Sequence, residues 1–354
     1  MNPVRDGRQV DPEIGSLLGE AAGQIAKNIE AAKTPFEVWK ENPSARQQMS
    51  DEPSYYNRPL VKEPVWVWSV PLYFYAGGAA GASLALAAAA QLLDGRPNKL
   101  IPYCRRIGLA GVTLGSGLLI YDLGRPGRFF NMLRVFRPTS PMNMGSWLLA
   151  AAGSLSALAV FEIPGIKRFR NTSAIGAGIL GIPLSGYTGV LLANTAIPVW
   201  QAASRMLPVL FTASGMASAG ALLHFIELPS REKTIARRFA MTGQTAELIA
   251  MFALERQVYK VERINKPLKQ GFSGFLWKTA RVLGPASLAL AFLPTKSRGV
   301  KTAAGVCGTA AALTLRFSLL QAGRNSARDP RASFQQQRTN ELHPGVQAPL
   351  QPVT

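Results

Sequence analysis

Long apolar runs restrict the fold of this chain more than any other feature of its sequence. Between about Val65 and Leu320 the apolar residues fall into runs of roughly 18 to 28 residues with few or no charges. A run of about 20 apolar residues spans the hydrocarbon core of a bilayer, whereas a soluble chain of 354 residues would show shorter amphipathic periods. The sequence therefore predicts an all-α integral membrane protein.

We predict about eight transmembrane helices within a membrane domain that covers residues 65–322. They run approximately over residues 66–93, 104–121, 144–163, 174–193, 205–228, 240–258, 278–294 and 300–321. Residues 1–64 form a polar N-terminal region in which 14–32 has the spacing of an amphipathic helix. Residues 323–354 form a polar, basic C-terminal tail.

Three of the predicted helices have distinctive small or charged residues. The first has a seam of Gly77, Gly78 and Gly81, which is expected to let a neighbouring backbone come close. The fourth contains Pro183 among several glycines and is expected to be kinked. The sixth departs most from the spanning pattern because Glu247 and Glu255 lie inside a short apolar run.

The net charge of +19 follows the same membrane pattern. The basic residues lie in short loops between the apolar runs, as in Arg105–Arg106, Lys167–Arg168 and Arg237–Arg238. Lipid headgroups and membrane topology explain this distribution better than nucleic acid does. Counting these residues gives a slight preference for a topology with both termini in the cytoplasm.

The segment from Tyr121 to Trp147, YDLGRPGRFFNMLRVFRPTSPMNMGSW, contains more charged and aromatic residues than a connector between membrane helices requires. It lies between two apolar runs, and so at a membrane surface. It holds the acid Asp122, several aromatic residues and four arginines, namely Arg125, Arg128, Arg134 and Arg137. These residues indicate a site for a molecule with a polar head and an apolar body.

The residues that most redox cofactors require are scarce. A b-type haem in a membrane bundle usually takes two axial ligands, commonly a histidine pair, and the chain has His224 and His343 alone. Its two cysteines, Cys104 and Cys307, are far apart and lack metal-like spacing. No GKS or GKT motif is present. We therefore expect no haem and no metal in this chain.

Several ionisable residues lie within the apolar runs or at their borders: Asp122, Glu162, Arg205, His224, Glu227, Glu247, Glu255 and Arg316. Charges at bilayer depth are expensive and usually face a partner or a watery cavity. A proton path is therefore predicted through His224, Glu227, Glu247, Glu255 and Arg316.

Each of these residues also has a structural interpretation. Residues near helix ends could face lipid headgroups, and His224, three residues before Glu227 on one helix face, could be a hydrogen-bonded histidine instead of a relay. Arg316 could extend toward the headgroups or form a buried ion pair with a glutamate. Tyr187 lies in the middle of the fourth helix, where its hydroxyl needs a partner, either a quinone carbonyl or a backbone carbonyl freed by Pro183.

Four stretches of the sequence resemble a known family in their residues, order and spacing. They are WSVPLYFYAGGAAGA (68–82), the 121–147 segment, GYTGVLLANTAIPVW (186–200) and LRFSLLQAGRNSARDP (315–330). The chain resembles the NrfD/polysulfide-reductase (NrfD/PsrC) membrane subunits over about residues 65–330. The resemblance implies two four-helix bundles in the bacterial inner membrane, without haem or metal. It also implies a menaquinone or ubiquinone site near one membrane face.

The resemblance further implies protein partners and an activity. An iron–sulfur, ferredoxin-like subunit would dock at the quinone face and exchange electrons with a molybdopterin or multihaem cytochrome subunit. The chain would then be non-catalytic alone, as the quinone-reactive part of a respiratory oxidoreductase. We predict a quinone site from Tyr73, Asp122, Arg125, Ser140 and Tyr187, with Asp122 taking the proton because a nearby cation favours its charged state.

Three other functions are compatible with the same residues. The protein could be a docking subunit whose quinone is structural, or a subunit in which electron transfer drives protons through Glu247, Glu255 and Arg316. A transporter would show broken helices at matching positions in two halves. Because the fourth helix alone is clearly broken in this sequence, the transporter is the least favoured.

Overall fold

The structure is a computed structural model that describes residues 61–94, 99–123, 127–161, 167–259, 262–293, 297–329 and 332. The chain divides into two units, Met1–Arg58 and Pro59–Thr354, and the first lies wholly outside the described residues. The predicted amphipathic helix at 14–32 therefore lies outside them as well, as does most of the basic tail. Within the described ranges the regular structure is helical throughout.

Eleven helices follow one another in the described part of the chain. They are α1 (Ser69–Asp94), α2 (Leu100–Asp122), α3 (Gly127–Met132), α4 (Pro141–Val160), α5 (Lys167–Ala193), α6 (Pro198–Ala202), α7 (Leu207–Leu223), α8 (Ser230–Val258), α9 (Glu262–Lys269), α10 (Gly271–Phe292) and α11 (Arg298–Ala327).

A long helix lies at each of the eight predicted positions, but several begin earlier than the apolar runs do. Helix α5 begins at Lys167 and α8 begins at Ser230, since backbone hydrogen bonding continues through charged residues beyond an apolar run. Among the described residues, four helices are long and apolar enough to cross a membrane: Ser69–Leu93, Pro141–Val160, Phe169–Ala193 and Arg298–Ala327. The apolar helix Leu207–Leu223 is shorter than these four.

The long helices pack in two closed rings. In the first, α1 contacts α2 and α5, and α4 contacts the same two helices. In the second, α7 contacts α8 and α11, and α10 contacts the same two helices. Helix α7 also packs on α1 and α5, so it joins the two rings.

Glycines allow the closest helix contacts, as the sequence predicts in part. A Cβ atom at Gly81 would collide with the Gly181 carbonyl of α5, and one at Gly181 would collide with the Gly81 carbonyl. At Gly78 a Cβ would lie 2.9 Å from Arg316 Nη2. Gly77 differs from these two positions, because a Cβ atom there would have nothing within 4 Å.

The last helix holds the segment that precedes the first helix. Arg324 Nη2 donates to the Trp66 carbonyl, and Arg328 donates to both Glu63 carboxylate oxygens at 2.9 and 3.0 Å. Trp66 stacks on the fully buried Trp200, with ring centroids 5.6 Å apart. These contacts fix the start of α1 against the end of α11.

Candidate functional site

A cavity of about 180 Å³ lies where α1 begins, α2 ends, α4 begins and α5 ends. Three of the predicted quinone-site residues line it together: Tyr73, Asp122 and Tyr187. The remaining lining residues are mainly apolar: Trp66, Val70, Phe74, Leu118, Leu119, Leu123, Met132, Met142, Gly145, Ser146 and Leu191. The cavity can therefore hold an apolar ring beside a few hydrogen-bonding groups.

Asp122 joins the end of α2 to the start of α1. Its Oδ1 accepts from the Val67 backbone N–H at 3.4 Å and from the Ser69 hydroxyl at 3.2 Å. The carboxylate is partly exposed and also lines the cavity. Asp122 is thus both a structural anchor for α1 and an acid within reach of a bound molecule.

Tyr187 crosses from α5 to the first turn of α4. Its hydroxyl donates to the Pro141 carbonyl, so its partner is a backbone carbonyl, though not one freed by Pro183. A Cβ atom at Gly145 would collide with the Tyr187 ring. Gly145 is therefore the residue that admits this ring between the two helices.

Asn143 organises the loop between α2 and α4. Its Nδ2 donates to the carbonyls of Met132 and Val135 at 2.7 and 2.8 Å, and its Oδ1 accepts from the Arg137 N–H at 2.7 Å. This role was not predicted from the sequence, although an asparagine in the first turn of a helix is a signal for such bonds.

Two predicted members of the site are placed differently from the other three. Ser140 is the N-cap of α4, where its side chain accepts from the Asn143 N–H at 3.4 Å, and it is not among the residues that line the cavity. Arg125 lies outside the described residues, as does Glu162. Ser146 and Trp66 line the cavity but were not predicted to do so, because Trp66 resembles an ordinary interfacial anchor.

Arg316 is fully buried in the middle of α11. Its Nη1 donates to the Ser214 hydroxyl at 2.8 Å and to the Ala312 carbonyl at 2.9 Å. Its guanidinium lies 5.6 Å from the ring centroids of Tyr75 and Phe211, which provides cation–π stabilisation. Its Nε and Nη2 atoms have no hydrogen-bond partner among the described residues.

Glu247 is buried on α8, and its Oε1 atom has no hydrogen-bond partner in the described part of the chain. No ion pair joins Arg316 to a carboxylate among the described residues, contrary to the ion pair expected from the sequence; Ser214 is its side-chain partner instead. Glu247 Oε1 and Arg316 Nε and Nη2 are therefore buried polar atoms whose hydrogen-bonding capacity is not met among the described residues.

Glu255 is separate from this pair. It accepts from Trp277 Nε1 at 2.6 Å and from Arg281 Nη1 at 3.0 Å, so it links α8 to α10. It lies eight residues beyond Glu247 on the same helix, about 12 Å along the axis. Its hydrogen bonds indicate a structural role at this position.

His224 and Glu227 lie at the opposite end of α7 from the first cavity. His224 follows the last residue of α7, and its buried Nε2 has no hydrogen-bond partner among the described residues. Glu227 is exposed and pairs with Arg298 at 3.5 Å. The five residues predicted as one proton path are therefore distributed over three places in the structure.

No group of three or more His, Cys, Asp or Glu side chains is placed to hold a metal ion within the described ranges. Cys104 is buried, Cys307 is partly buried, and neither forms a disulfide.

Sequence comparison with known proteins assigns most of this chain to a family. A family model described as "Polysulphide reductase, NrfD" matches residues 58–327, which is most of the chain and includes every residue around the cavity. A polysulfide reductase subunit of Wolinella succinogenes is 25% identical over 179 residues, which cover 44% of this chain and 55% of that protein. The chain thus spans little more than half the length of this relative. Because the family model matches well over half of the chain, the chain belongs to the NrfD (polysulphide reductase) family of membrane subunits.

Proposed function

We propose that this chain is the quinone-reactive membrane subunit of a respiratory oxidoreductase, working between quinone and an iron–sulfur partner subunit. Its membership of the NrfD family supports a membrane subunit of this kind. The similar Wolinella protein is named as one subunit of a polysulfide reductase, which supports work within a complex. A molybdopterin or multihaem cytochrome subunit would complete the electron path.

We propose further that eight helices cross the bacterial cell membrane as two four-helix bundles. The two closed rings of long helices support this arrangement. Helices α2, α8 and α10 contain charged residues, so they lack the continuous apolar composition of a simple transmembrane helix. Several of these charges lie at helix ends or bind one another, as Glu255 and Arg281 do, which lowers their cost in a bilayer.

The cavity at Asp122 is the main support for a quinone-reactive function, because its size and lining suit a quinone headgroup. Pockets for whole drug-sized molecules measure about 300–1,000 Å³, so a volume of about 180 Å³ suits the headgroup without its tail. Met142, a lining residue, is half exposed at the outer surface of the helices. A headgroup could therefore bind while its tail remains in lipid.

The residues around the cavity have complementary roles in this proposal. A bound quinone supplies two-electron, two-proton redox chemistry at its ring oxygens. The Tyr73 hydroxyl orients a ring oxygen by donating to it, and the Ser146 oxygen, whose proton goes to the Met142 carbonyl, accepts from the hydroxyl of a quinol. Phe74 and Leu119 exclude water from the ring faces. The Asp122 carboxylate, which is partly exposed, takes the proton and passes it toward the membrane surface.

The exposed loop beside the cavity suits the partner subunit. Val135, Phe136 and Phe130 are more than half exposed there, and Arg134 and Arg137 are exposed in the same loop. Apolar side chains mixed with arginines are typical of protein interfaces. Docking at this loop would bring an iron–sulfur cluster close to the quinone headgroup.

The test is a titration of the purified complex with a fluorescent quinol-analogue inhibitor, comparing wild type with Asp122→Asn. We expect saturable quenching in the wild type and binding weakened about tenfold or more in the variant, as for a lost charged hydrogen bond. Ser69→Ala is the matched control, because it removes a structural hydrogen bond of Asp122 but keeps the acid. An intact complex without quenching would contradict the proposal.

The docking-subunit alternative is favoured by the two hydrogen bonds through which Asp122 anchors α1. Under that alternative Asp122→Asn would disturb assembly, and partner-only dye reduction would fall together with quinone-linked turnover. Under the proposed function, dye reduction by the partner subunits persists while quinone-linked turnover falls.

The proton-translocation alternative is favoured by the buried, partly unpartnered Arg316 and Glu247. It predicts that Glu247→Gln lowers proton release in liposomes by more than it lowers turnover. Glu255→Gln is the matched comparison because Glu255 is bound by Trp277 and Arg281. Unchanged turnover and proton release in both variants would exclude this function.

A further inference from the structure

A second, larger cavity of about 350 Å³ lies where α7 and α10 end and where α8 and α11 begin. Its lining includes four cationic side chains, Lys233, Arg237, Arg298 and Lys301. Glu227 is the acid among its described lining residues, so these side chains sum to +3 when His224 is neutral (four cations less one carboxylate). This cavity shares no lining residue with the Asp122 cavity.

The two lysines are held together in spite of their like charges. The nearby Lys301, followed by partial burial, lowers the pKa of Lys233. Lys233 is the fourth residue of α8 and Lys301 is the fourth residue of α11. Two helix N-termini, each with a partial positive charge, therefore converge on the same cavity.

The available carboxylate does little to neutralise this charge. Glu227 pairs with Arg298 at 3.5 Å, and both side chains are about four-fifths exposed. An exposed pair of this kind contributes little free energy. The lysine pair and Arg237 therefore remain a concentration of positive charge within the cavity.

His224 adds an unpartnered polar atom to the same wall. It lines the cavity, and its buried Nε2 has no hydrogen-bond partner among the described residues. A buried nitrogen without a partner is costly. A bound anion with a hydroxyl or oxygen at this point would satisfy it.

The cavity lies at the opposite end of α11 from the Asp122 cavity. Lys301 lines it near the start of α11, whereas Arg324, near the end of α11, donates to the carbonyl of Trp66 beside the Asp122 cavity. These two residues are 23 positions apart (324 less 301), which is about 35 Å along a helix and close to the thickness of a bilayer.

Apolar residues complete the surroundings of the charges. Phe225 and Leu293 line the cavity and are about half exposed. An anion with attached hydrocarbon could therefore place its charge among the lysines and its hydrocarbon along Phe225 and Leu293. This combination matches the headgroup region of a membrane.

We propose that the cavity between α7, α8, α10 and α11 binds a phosphate group, supplied by the headgroup of an anionic phospholipid. Phosphate oxygens would accept from Lys233, Lys301 and Arg237 and from the first N–H groups of α8 and α11. The acyl tails would lie against the exposed apolar residues. The proposal does not depend on quinone chemistry at the other face.

The test measures thermal stability of the full-length protein in detergent during titration with defined lipids. Phosphatidylglycerol and cardiolipin are expected to raise the unfolding temperature in a saturable way, while phosphatidylcholine does not. In Lys233→Gln/Lys301→Gln the half-saturating concentration of anionic lipid should rise by about tenfold or more. Native mass spectrometry of the wild type should find at least one retained anionic lipid that the variant loses.

The matched control is Lys99→Gln/Arg238→Gln, which removes two exposed cations at the same end of the helices but outside the cavity. Equal loss in both double variants would mean unspecific surface attraction and would overturn the site. If inorganic phosphate alone reproduced the stabilisation at the same concentrations, the lipid source would be overturned. Should the glutamine variant not fold, Lys233→Arg/Lys301→Arg must retain lipid binding, and its loss would contradict the proposal.

Discussion

At the scale of single residues, the candidate site depends on side chains whose roles arise from a partner on another helix. Hydrogen bonds from the Ser69 hydroxyl and the Val67 N–H hold the Asp122 carboxylate in position. The Tyr187 ring fits because position 145 is a glycine. Each of these dependences gives a substitution with a defined expected effect.

The first prediction concerns Asn143→Asp, which keeps the size of the side chain but removes both donated hydrogen bonds. Two such bonds contribute about 2 kcal/mol, which corresponds to a roughly 25-fold change in a loop-opening equilibrium. Trypsin cleavage after the exposed Arg134, which is followed by Val135, should accelerate accordingly. The exposed Asn131 is the control, since Asn131→Asp should leave the cleavage rate nearly unchanged; equal acceleration in both variants would show that Asn143 does not hold the loop.

The second prediction concerns Gly145→Ala, whose methyl group would collide with the Tyr187 ring. Overpacking of this kind costs about 1–3 kcal/mol, so the unfolding temperature and inhibitor binding should both fall. In a Tyr187→Ala background the same change should cost less, which a double-mutant cycle measures. Gly77→Ala, with nothing within 4 Å, should be neutral or slightly stabilising. Additive effects at positions 145 and 187 would rule out the packing argument.

At the scale of helices, a buried acid connects the two rings. Glu232, near the start of α8, accepts from the Leu100 N–H at the start of α2 at 2.8 Å. Its negative charge lies at the positive end of the α2 dipole. The link between the second ring and the first at this end thus includes a charge–dipole interaction.

The third prediction is that Glu232→Gln destabilises the protein although it keeps a hydrogen-bond acceptor. Loss of the charge at a partly buried helix N-terminus costs about 1 kcal/mol, which thermal unfolding in detergent can measure. Glu227→Gln should cost less because Glu227 is exposed. If the two substitutions were equally harmful, the charge–dipole interaction would not be the cause.

Helix positions could be predicted from the sequence, but several helix ends and partners could not. Apolar runs locate α1 and α4 because their composition matches the hydrocarbon core. The start of α8 at Ser230 could not be predicted from the sequence, because its first turns are charged and no apolar run begins there. Ser140 carries the signal of a helix N-cap as clearly as that of a ligand, and one sequence does not separate the two roles.

At the scale of the whole molecule, contacts distant in sequence determine which predicted residues meet. The motifs around Tyr73, Asp122 and Tyr187 are visible in the sequence, and the structure brings them to one cavity. His224 and Glu247 share the same signal of an ionisable residue in an apolar run, yet they lie apart. Sequence spacing within one helix gives no information about which face of another helix it meets.

The fourth prediction concerns the pH dependence of the contact between Arg328 and Glu63. The hydrogen bond from Arg328 lowers the pKa of Glu63 from its ordinary 4.5. A lowered pKa means that the stabilisation is present above about pH 4.5 and is lost as the pH falls through the lowered value. The difference in unfolding temperature between wild type and Arg328→Gln should therefore shrink below that pH. Arg263→Gln is the comparison, since Arg263 pairs loosely with Asp329 at 4.0 Å; a pH-independent difference would contradict the assignment.

The contacts that join the two ends of the membrane domain, Arg324 with Trp66 and Arg328 with Glu63, have a consequence for biosynthesis. Arg324 and Trp66 are separated by 258 positions, and Arg328 and Glu63 by 265. At about 5–20 residues per second, a ribosome adds that length in roughly 13 to 50 s. For that interval Glu63 and Trp66, which precede α1, lack their partners on the last helix. Because Trp66 lines the Asp122 cavity, the cavity is completed only after the final helix has left the translocon. Nascent polypeptides interrupted before α11 would lack these contacts and would have an open second ring, which makes this stage the point at which a quality-control protease can recognise them.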